Sequence, residues 1–551
     1  MFCSKCGVEV AEGAAFCTAC GNALNTAPVK ETVIVSEETC EIVSAPVTEE
    51  APKKELLAPV KPLLEKVTPF LQKYKLFVAG GLAIVCCIIC IALLCTIFGG
   101  GNGYDAYKHN IKVSVEGGEV YVMYDAKKAK ATGLEADNIS QNQFSMDGST
   151  LVLLTNNGDL AVVKGTKLTV IAEEVDCFVL SIDGTGVGYA VENDDAATLY
   201  LYNVKTKKAT EVTNWLADEN FALSPDGDSI CYYEEKEDDD SANLMFFKGS
   251  KSTKVTSNEV YLLGLSNNGK YIYAAGEDDE GEEFLYRYNT KGAKDKIGAC
   301  NIPAVYFNND HTQLIYFNQD DGYRSYISTN GKAGKKIASS IAIPLLPESA
   351  FLYTTTFTAT VPTDNLYNKV YICQGEGGLS NIWLIRKNSN MSIKLVNKVS
   401  NITLSEDATL VYYVDEGELK VLTVKKGDNA ADEARVLAED IDSYIVTSDC
   451  KKLYYTTDGA LYCINAKTGG GKKTVANDEV SSGLYINAND VVYYIKDGDA
   501  YASKNGSKGK KVVADAISLG ETGNGIVFVY TDGEIYATSG AKKPAKVFSE
   551  E

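Results

Sequence analysis

Histidine is nearly absent from this chain, whose 551 residues include only His109 and His311. This scarcity argues against mechanisms that need an imidazole base and against a histidine-rich metal site. Basic residues are also in deficit, with 53 Lys and Arg against 74 Asp and Glu and a net charge of −21. Because an acidic chain repels nucleic acid and anionic lipid, we expect no nucleic-acid partner.

The rest of the composition is that of globular material, with 45% hydrophobic and 23% charged residues. This composition excludes a wholly disordered chain, and at ~100–200 residues per domain the length predicts several folded units. The 15 cysteines form three groups: four near the N-terminus, four within an apolar run and seven elsewhere. Each group needs a separate interpretation.

The N-terminal cysteines follow the pattern C-x2-C-x10-C-x2-C within residues 1–24, and each C-x2-C pair is followed by glycine. Backbone N–H groups of such turns point at the thiolates, and two turns complete the tetrahedral sulfur site that Zn²⁺ accepts. The pattern resembles the zinc-ribbon modules of bacterial membrane proteins. The resemblance implies that four residues bind a structural Zn²⁺: Cys3, Cys6, Cys17 and Cys20. A thiol redox switch or a disulfide pair is the alternative.

A linker and a membrane segment follow the ribbon. Residues 25–72 contain prolines and alternating acidic and basic clusters, a composition typical of a flexible tether. Residues 76–98 then form 23 consecutive positions without a charge. At 1.5 Å per residue such a run crosses a ~30 Å hydrocarbon core. We therefore predict a transmembrane helix at residues 73–98 that contacts the lipid bilayer through residues 76–98.

Flanking charge predicts how this segment is oriented. The residues before the uncharged run 76–98 include Lys61, Lys66, Lys73 and Lys75, whereas the residues after it begin with a glycine-rich stretch. The positive-inside rule places the N-terminus in the cytoplasm, where zinc-binding thiolates remain reduced. The large C-terminal part, residues 104–551, is then extracytoplasmic, and we expect the protein in the cell membrane. This part carries the acidity, because its 45 basic and 64 acidic residues give a net charge of −19.

Residues 104–551 are internally repetitive. A four-residue turn followed by an aromatic or β-branched run recurs about every 40 residues. Further tight turns follow within each unit, for example at Asp458-Gly459 and Asn505-Gly506, and the last strand of a unit is basic. Four strands per ~40 residues are typical of a β-propeller blade. The recurring turns begin at Ser145, Ser181, Ser224, Ser266, Asn308 and Ser405.

These repeats predict an all-β fold class: a β-propeller of about ten four-stranded units, forming one large ring or two rings, beside the ribbon and one membrane helix. An insertion is expected near residues 358–368, and a partial unit near residues 113–133 is expected to complete a blade with the C-terminus. The turn Ser224-Pro225-Asp226-Gly227 with its aromatic strand resembles the TolB-like and dipeptidyl-peptidase-like propeller repeats. That resemblance spans roughly residues 104–548.

Little of the sequence points to catalysis. The G-x-S-x-G motif of the hydrolase domain in dipeptidyl-peptidase relatives is not found, and His311 occupies a turn position where other units have glycine.

Acidic loops at residues 194–195, 234–240 and 277–283 have two interpretations. They are either solvated charged hairpins, which we favour, or Ca²⁺ sites without the fixed order of a calcium loop. We expect core packing for most of the 34 tyrosines and single thiols for the six cysteines of residues 104–551.

The first hypothesis is a non-enzymatic, single-pass membrane protein that acts as a scaffold or sensor. Its outer propeller binds a protein, a peptide or a wall polymer, and its ribbon contacts a cytoplasmic protein. The alternative is an extracellular enzyme that acts on glycans with paired carboxylates.

Overall fold

The computed structural model describes residue 109 and residues 111–549, with gaps at 193–196, 237–238, 301–304, 319–321, 323, 348–349, 351, 355–357, 375–378, 387–391, 425–432, 482, 522–524 and 541–542. The predicted ribbon, linker and membrane segment lie outside these residues. Among the residues described, no helix is long and apolar enough to cross a membrane.

The described residues are almost entirely β-structure, with a single 3-10 turn at Asn267–Gly269. The first strands are β1 (Ile111–Glu116), β2 (Glu119–Tyr124), β3 (Lys130–Glu135), β4 (Ile139–Phe144), β5 (Thr150–Thr155), β6 (Leu160–Lys164), β7 (Lys167–Ala172), β8 (Val175–Leu180), β9 (Gly186–Glu192), β10 (Ala197–Asn203), β11 (Lys208–Leu216), β12 (Ala222–Leu223), β13 (Ser229–Lys236), β14 (Asp239–Lys248) and β15 (Lys251–Thr256).

The middle strands are β16 (Tyr261–Leu265), β17 (Ile272–Glu277), β18 (Glu283–Tyr288), β19 (Lys294–Ala299), β20 (Val305–Phe307), β21 (Gln313–Asn318), β22 (Arg324–Thr329), β23 (Lys335–Ala338), β24 (Ala342–Pro344), β25 (Tyr353–Thr354), β26 (Thr358–Thr360), β27 (Lys369–Gln374), β28 (Ser380–Ile385) and β29 (Ser392–Leu404). The last strands are β30 (Leu410–Asp415), β31 (Glu418–Thr423), β32 (Arg435–Ala438), β33 (Ser443–Val446), β34 (Lys452–Thr457), β35 (Ala460–Asn465), β36 (Lys473–Ala476), β37 (Tyr485–Ile486), β38 (Val491–Lys496), β39 (Asp499–Lys504), β40 (Lys510–Val513), β41 (Ser518–Glu521), β42 (Val527–Thr531), β43 (Glu534–Thr538) and β44 (Ala545–Ser549).

These strands form antiparallel units of four, in which neighbours in the sheet follow one another in the chain. The part of the chain that is described contains ten such units, in agreement with the expected number. They are β4–β7, β8–β11, β12–β15, β16–β19, β20–β23, β24 with β27–β29, β29–β32, β33–β36, β37–β40 and β41–β44. The long strand β29 serves two units, because its first half pairs with β28 and its second half with β30.

Two features differ from a regular series of units. The predicted insertion is present as the short strands β25 and β26, which lie between β24 and β27 in the chain. The predicted completion of the first unit by the C-terminus is wrong: β1–β3 form a three-stranded sheet, and β41–β44 form a full unit of their own. The two are instead neighbours, since the Ala129 N–H donates to the Val547 carbonyl at 2.7 Å.

Hydrophobic clusters link the units in chain order. Each of eleven clusters of buried side chains joins two neighbouring units. One cluster packs Val120 of β2 against Leu151 of β5, and another packs Met123 of β2 against Phe528 of β42. The three-stranded sheet β1–β3 therefore packs against both the next unit in the chain, β4–β7, and the last one, β41–β44.

Tyrosine pairs on second strands show how one strand serves two clusters. Tyr232 packs toward the preceding unit β8–β11, whereas its neighbour Tyr233 packs toward the following unit β16–β19. Tyr454 and Tyr455 are also divided between two clusters, but here the first packs toward the following unit β37–β40 and the second toward the preceding unit β29–β32. Alternate residues of a strand point to opposite faces, and both faces are buried here. The expectation that most tyrosines pack in the core is confirmed for these pairs.

The recurring turns position the first strands of neighbouring units. The Met146 N–H donates to the Ile182 carbonyl at 2.9 Å, which connects the turns of two successive units. The fourth turn residue has a positive φ, for example 65° at Gly227, and packs against the preceding turn. A Cβ on Gly227 would lie 2.6 Å from the backbone nitrogen of Gly186. Glycine is required at this position by both its backbone conformation and the close approach of the neighbouring turn.

Candidate functional site

The four predicted zinc ligands, Cys3, Cys6, Cys17 and Cys20, lie outside the described residues. Within the described ranges, no group of three or more His, Cys, Asp or Glu side chains is arranged to hold a metal ion. None of the six cysteines in these ranges forms a disulfide; five are buried and Cys177 is half-buried. This confirms the expectation of single thiols.

The acidic hairpin between β17 and β18 is held by its own turn. Asp278 Oδ1 accepts hydrogen bonds from the Glu280 and Glu282 N–H groups, and its Oδ2 lies 3.1 Å from Lys296 Nζ. These hydrogen bonds, first among them the one from the Glu282 N–H, lower the pKa of the Asp278 carboxyl. A lysine ammonium thus occupies the position where a cation would bind. The Ca²⁺ interpretation of this loop is not supported.

A cavity of about 350 Å³, which we call the inner cavity, lies where the first strands of successive units meet. Its walls come from four such strands, since Gln141 lies in β4, Cys177 in β8, Leu223 in β12 and Gly264 in β16. Cavities of this size hold small ligands in many proteins. The repeat itself thus creates the recess, because each unit contributes its first strand.

The inserted strands β25 and β26 form another wall of the inner cavity. β26 pairs in parallel with β20, the first strand of its unit, in the register Val305↔Thr358. The Tyr353 hydroxyl donates to the Leu180 carbonyl of β8. Burial raises the pKa of Tyr353, so its hydroxyl stays protonated and remains a donor. The insertion is therefore attached to two different units around the cavity.

His311 lies at the cavity and contacts the insertion. Its φ of 54° places it in the left-handed region that four earlier units fill with glycine: Gly148, Gly184, Gly227 and Gly269. The ring stacks on Phe307 with a centroid distance of 4.2 Å, and Nε2 lies 2.9 Å from Thr360 Oγ1. Burial lowers the pKa of His311 to about 4, although the Leu265 carbonyl and the Asp310 carboxylate oppose this change. The imidazole is thus neutral at pH 7.

The second nitrogen of His311 lacks a hydrogen bond of good geometry. Nδ1 has no partner that meets hydrogen-bond criteria among the described residues, and the side chain is only 6% exposed. A Cβ added to Gly264 would lie 3.6 Å from Nδ1, and both residues line the inner cavity. A buried polar atom without a partner is costly, so this nitrogen favours a guest that completes its hydrogen bonding.

Negative charge dominates the rim of the inner cavity. Glu219 is the one charged residue in the described lining of this cavity, and it is exposed. Burial raises the pKa of the nearby Cys177 thiol to about 12, and the Glu219 and Asp176 charges contribute to this increase. Cys177 is therefore a neutral thiol at pH 7, in surroundings that disfavour a further negative charge.

A second recess, which we call the outer cavity, adjoins the first. Its volume is about 940 Å³, and both cavities are lined by Asn220. It lies between the units β12–β15 and β16–β19, beside the buried ring of Tyr233. Four carboxylates line it, whereas Lys and Arg are missing from its described lining: Asp218, Glu259, Glu277 and Glu283.

Sequence reasoning located the turn at His311 but not its role beside a cavity. The left-handed backbone conformation agrees with the prediction of a turn residue. The ring's contact with Thr360 joins positions 49 residues apart, and no local pattern indicates such a contact. The unusual histidine in a glycine position, shortly before an insertion, was the available signal.

Comparisons with known proteins give a clear result only for the N-terminus. A zinc-ribbon domain model matches residues 2–24, which contain the four predicted ligands. No curated protein sequence matches the chain.

Three solved structures are similar to the chain at low identity. A crystal structure of the eukaryotic initiation factor has a TM-score of 0.38 and 9% identity, with 68% of this chain and 97% of that chain covered. TolB from Acinetobacter baumannii has a TM-score of 0.25 and 12% identity, with coverages of 53% and 79%. A TolB structure from Agrobacterium tumefaciens has a TM-score of 0.27 and 14% identity, with coverages of 38% and 83%.

The similarity of residues 2–24 to zinc-ribbon domains implies structural zinc binding.

Proposed function

We propose that this chain is a single-pass membrane protein whose extracytoplasmic β-propeller binds a ligand in the inner cavity. The observation that carries the proposal is the cavity itself, in which first strands of several units converge around the buried His311. Residues 76–98 anchor the protein in the bilayer, and the zinc ribbon on the cytoplasmic side contacts a cytoplasmic protein. The chain thus acts as a binding scaffold or sensor.

The order of the hydrophobic clusters supports one ring rather than two. A division into two rings requires that some unit in the middle of the chain contact an early unit in place of its successor. The clusters instead link each unit to the next, including β20–β23 to β24 with β27–β28, and finally β41–β44 to β1–β3. We therefore favour a single propeller of eleven units, of which the first has three strands.

Binding is favoured over catalysis by the chemistry around the inner cavity. A neutral imidazole whose Nε2 contacts a threonine hydroxyl does not form a Ser-His-Asp triad. Glycoside hydrolysis needs two opposed carboxyl groups, whereas Glu219 is the one carboxylate among the described residues that line the inner cavity. The outer cavity, with four carboxylates, is the feature that favours the alternative of a glycan-active enzyme.

Site-specific photo-crosslinking in cells tests the binding proposal. A photoreactive amino acid replaces Gln141, which lines the inner cavity, in the full-length chain. The matched control carries it at Lys167, which is exposed on the outermost strand of the same unit. We expect an adduct of defined mass from position 141 and none from position 167. Equal labelling at both positions, or no adduct at 141, would overturn a ligand site in this cavity.

The enzyme alternative has its own test. Purified full-length chain is incubated with cell-wall glycan, and released fragments are measured for the wild type and the variants Glu259→Gln and Glu283→Gln. Both residues line the outer cavity. The binding proposal predicts no fragments from any of the three proteins. Fragment release that disappears in one variant would replace the binding proposal by the enzyme.

A further inference from the structure

Among the described residues, those that line the two cavities offer hydrogen-bond acceptors and negative charge but no cation. They include five carboxylates, Asp218, Glu219, Glu259, Glu277 and Glu283, and neither Lys nor Arg. None of these five takes part in an ion pair among the described residues. Elsewhere on the same body, exposed carboxylates do pair with lysines, as Asp449 does with Lys451 at 2.8 Å.

A second, independent feature points to a ligand in the inner cavity. His311 is more than nine-tenths buried, its Nε2 contacts Thr360, and its Nδ1 is without a hydrogen-bond partner in the part of the chain described. In the tautomer whose Nε2–H donates to the threonine oxygen, Nδ1 carries a lone pair that accepts a hydrogen bond. A guest that brings an N–H or O–H group satisfies this nitrogen in that tautomer.

The walls of the inner cavity limit the guest further. Phe178, Phe221 and Leu223 supply apolar surface beside Glu219. A divalent metal ion needs about six oxygen ligands, which one carboxylate in an apolar recess does not supply. Since a water molecule takes up ~30 Å³, a cavity of about 350 Å³ accommodates roughly ten non-hydrogen atoms. These properties fit a small organic cation with an aliphatic chain.

We infer that the inner cavity binds an alkyl diamine or polyamine, whose ammonium groups pair with Glu219 and with the carboxylates of the outer cavity. One N–H group donates to His311 Nδ1, and the alkyl chain packs on Phe178 and Phe221. A longer amine extends past Asn220, which lines both cavities, toward Asp218 and Glu259. The inference rests on the proposed binding function and names its ligand class.

Isothermal titration of the full-length chain in detergent tests this inference. The probes are 1,5-diaminopentane and spermidine, with 1,5-pentanediol as the uncharged analogue and MgCl₂ as a control for ionic strength. The variants are Glu219→Gln and, as a matched control, Glu439→Gln, whose residue is exposed and lines neither cavity. We expect both amines to bind, the diol not to bind, and Glu219→Gln to weaken binding about tenfold, as loss of a charge-assisted hydrogen bond does. The control variant should bind like the wild type.

The inference is overturned when neither amine binds, when the diol binds as well as the diamine, or when Glu219→Gln and Glu439→Gln have equal affinity. A further variant tests His311. His311→Gly suits the left-handed backbone at φ 54° and should lower the affinity about fivefold through loss of one neutral hydrogen bond. Unchanged affinity in this variant would remove His311 from the binding site.

Amide hydrogen exchange over β8 (Val175–Leu180) gives a second readout that does not depend on the heat of binding. Four residues of this strand line the inner cavity: Cys177, Phe178, Val179 and Leu180. Exchange of this peptide, followed by mass spectrometry, should slow in the presence of saturating diamine in the wild type but not in Glu219→Gln. Failure of the two proposals is distinguishable. An adduct at position 141 without amine binding refutes only the ligand class, whereas absence of an adduct refutes the site itself.

Discussion

His311 Nε2 lies 2.9 Å from Thr360 Oγ1, and this contact attaches the inserted strand β26 to the turn of the unit β20–β23. The same turn places the His311 ring on Phe307 of β20, with which β26 pairs in parallel. Backbone pairing, ring stacking and a side-chain hydrogen bond thus act on one short segment. The wall that the insertion gives to the inner cavity depends on these contacts.

Replacement of Thr360 by valine should loosen this wall. Thr360→Val keeps the side-chain volume but leaves the buried His311 Nε2 without its partner, which costs about 1–3 kcal/mol. We expect amide hydrogen exchange over residues 358–363 to become about tenfold faster, as measured by mass spectrometry. The control is Thr354→Val, an exposed threonine of the same insertion. Equal exchange in both variants would show that the contact does not hold the strand.

Burial of His311 predicts a pH-dependent stability. Because its pKa is lowered to about 4 from 6.5, the unfolded chain takes up this proton at a higher pH than the folded chain. The free energy of unfolding therefore falls as the pH drops from about 6.5 toward 4, by about 2 kcal/mol at pH 5. Urea titrations at pH 7 and pH 5 measure this loss.

His311→Gly should remove that part of the pH dependence. The matched control is Ala408→Gly, since Ala408 has the same left-handed conformation, φ 54°, in the turn of another unit but does not titrate. We expect the difference between pH 7 and pH 5 to shrink by about 2 kcal/mol in the histidine variant only. A reduction of the same size in Ala408→Gly would attribute the effect to the backbone.

The turn glycines should differ sharply in their tolerance of a side chain. Gly227 and Gly249 have similar φ values of 65° and 70°, so alanine costs about 1–2 kcal/mol of backbone strain at either. A Cβ on Gly227 would also meet Gly186 at 2.6 Å, whereas nothing lies within 4 Å of one on Gly249. Urea unfolding should show Gly227→Ala to be less stable than Gly249→Ala by at least about 2 kcal/mol. Equal stabilities would mean that the turns do not pack as described.

Zinc content should depend on the ribbon cysteines alone. Elemental analysis of the purified full-length chain should find about one zinc per chain, as expected for four sulfur ligands. Cys17→Ser should lose most of it, because one missing thiolate opens the site, whereas Cys40→Ser, outside the pattern, should retain it. Full zinc content in Cys17→Ser would contradict the assignment of this ligand.

Much of the fold follows from local patterns in the sequence. The four-residue turns and the tight turns that contain glycine recur about every 40 residues. These local patterns predict the four-stranded units without information from distant parts of the chain. Tyr232-Tyr233 illustrates why the prediction works. Since alternate residues face opposite sides of a strand, an aromatic pair indicates burial on both faces.

The inner cavity did not follow from such patterns. The wall that the insertion adds exists because β26 returns to pair with β20, about 50 residues earlier in the chain, and because Tyr353 reaches the Leu180 carbonyl. No repeating pattern in the sequence indicates a parallel pairing between strands so far apart in the chain. The expected closure by a C-terminal strand was wrong for a similar reason, since Ala129 contacts Val547 between two separate sheets rather than within one.

Membrane topology tests the account most directly, because an extracytoplasmic binding body requires it. A site for a sequence-specific protease is inserted between residues 101 and 102 in one variant and between residues 45 and 46 in another, each with a C-terminal epitope. Protease is then added to intact spheroplasts. We expect release of the epitope-bearing body from the first variant, and cleavage of the second only after the membrane is permeabilised. Cleavage at residues 45–46 in intact cells, or protection of the site at residues 101–102, would contradict the account.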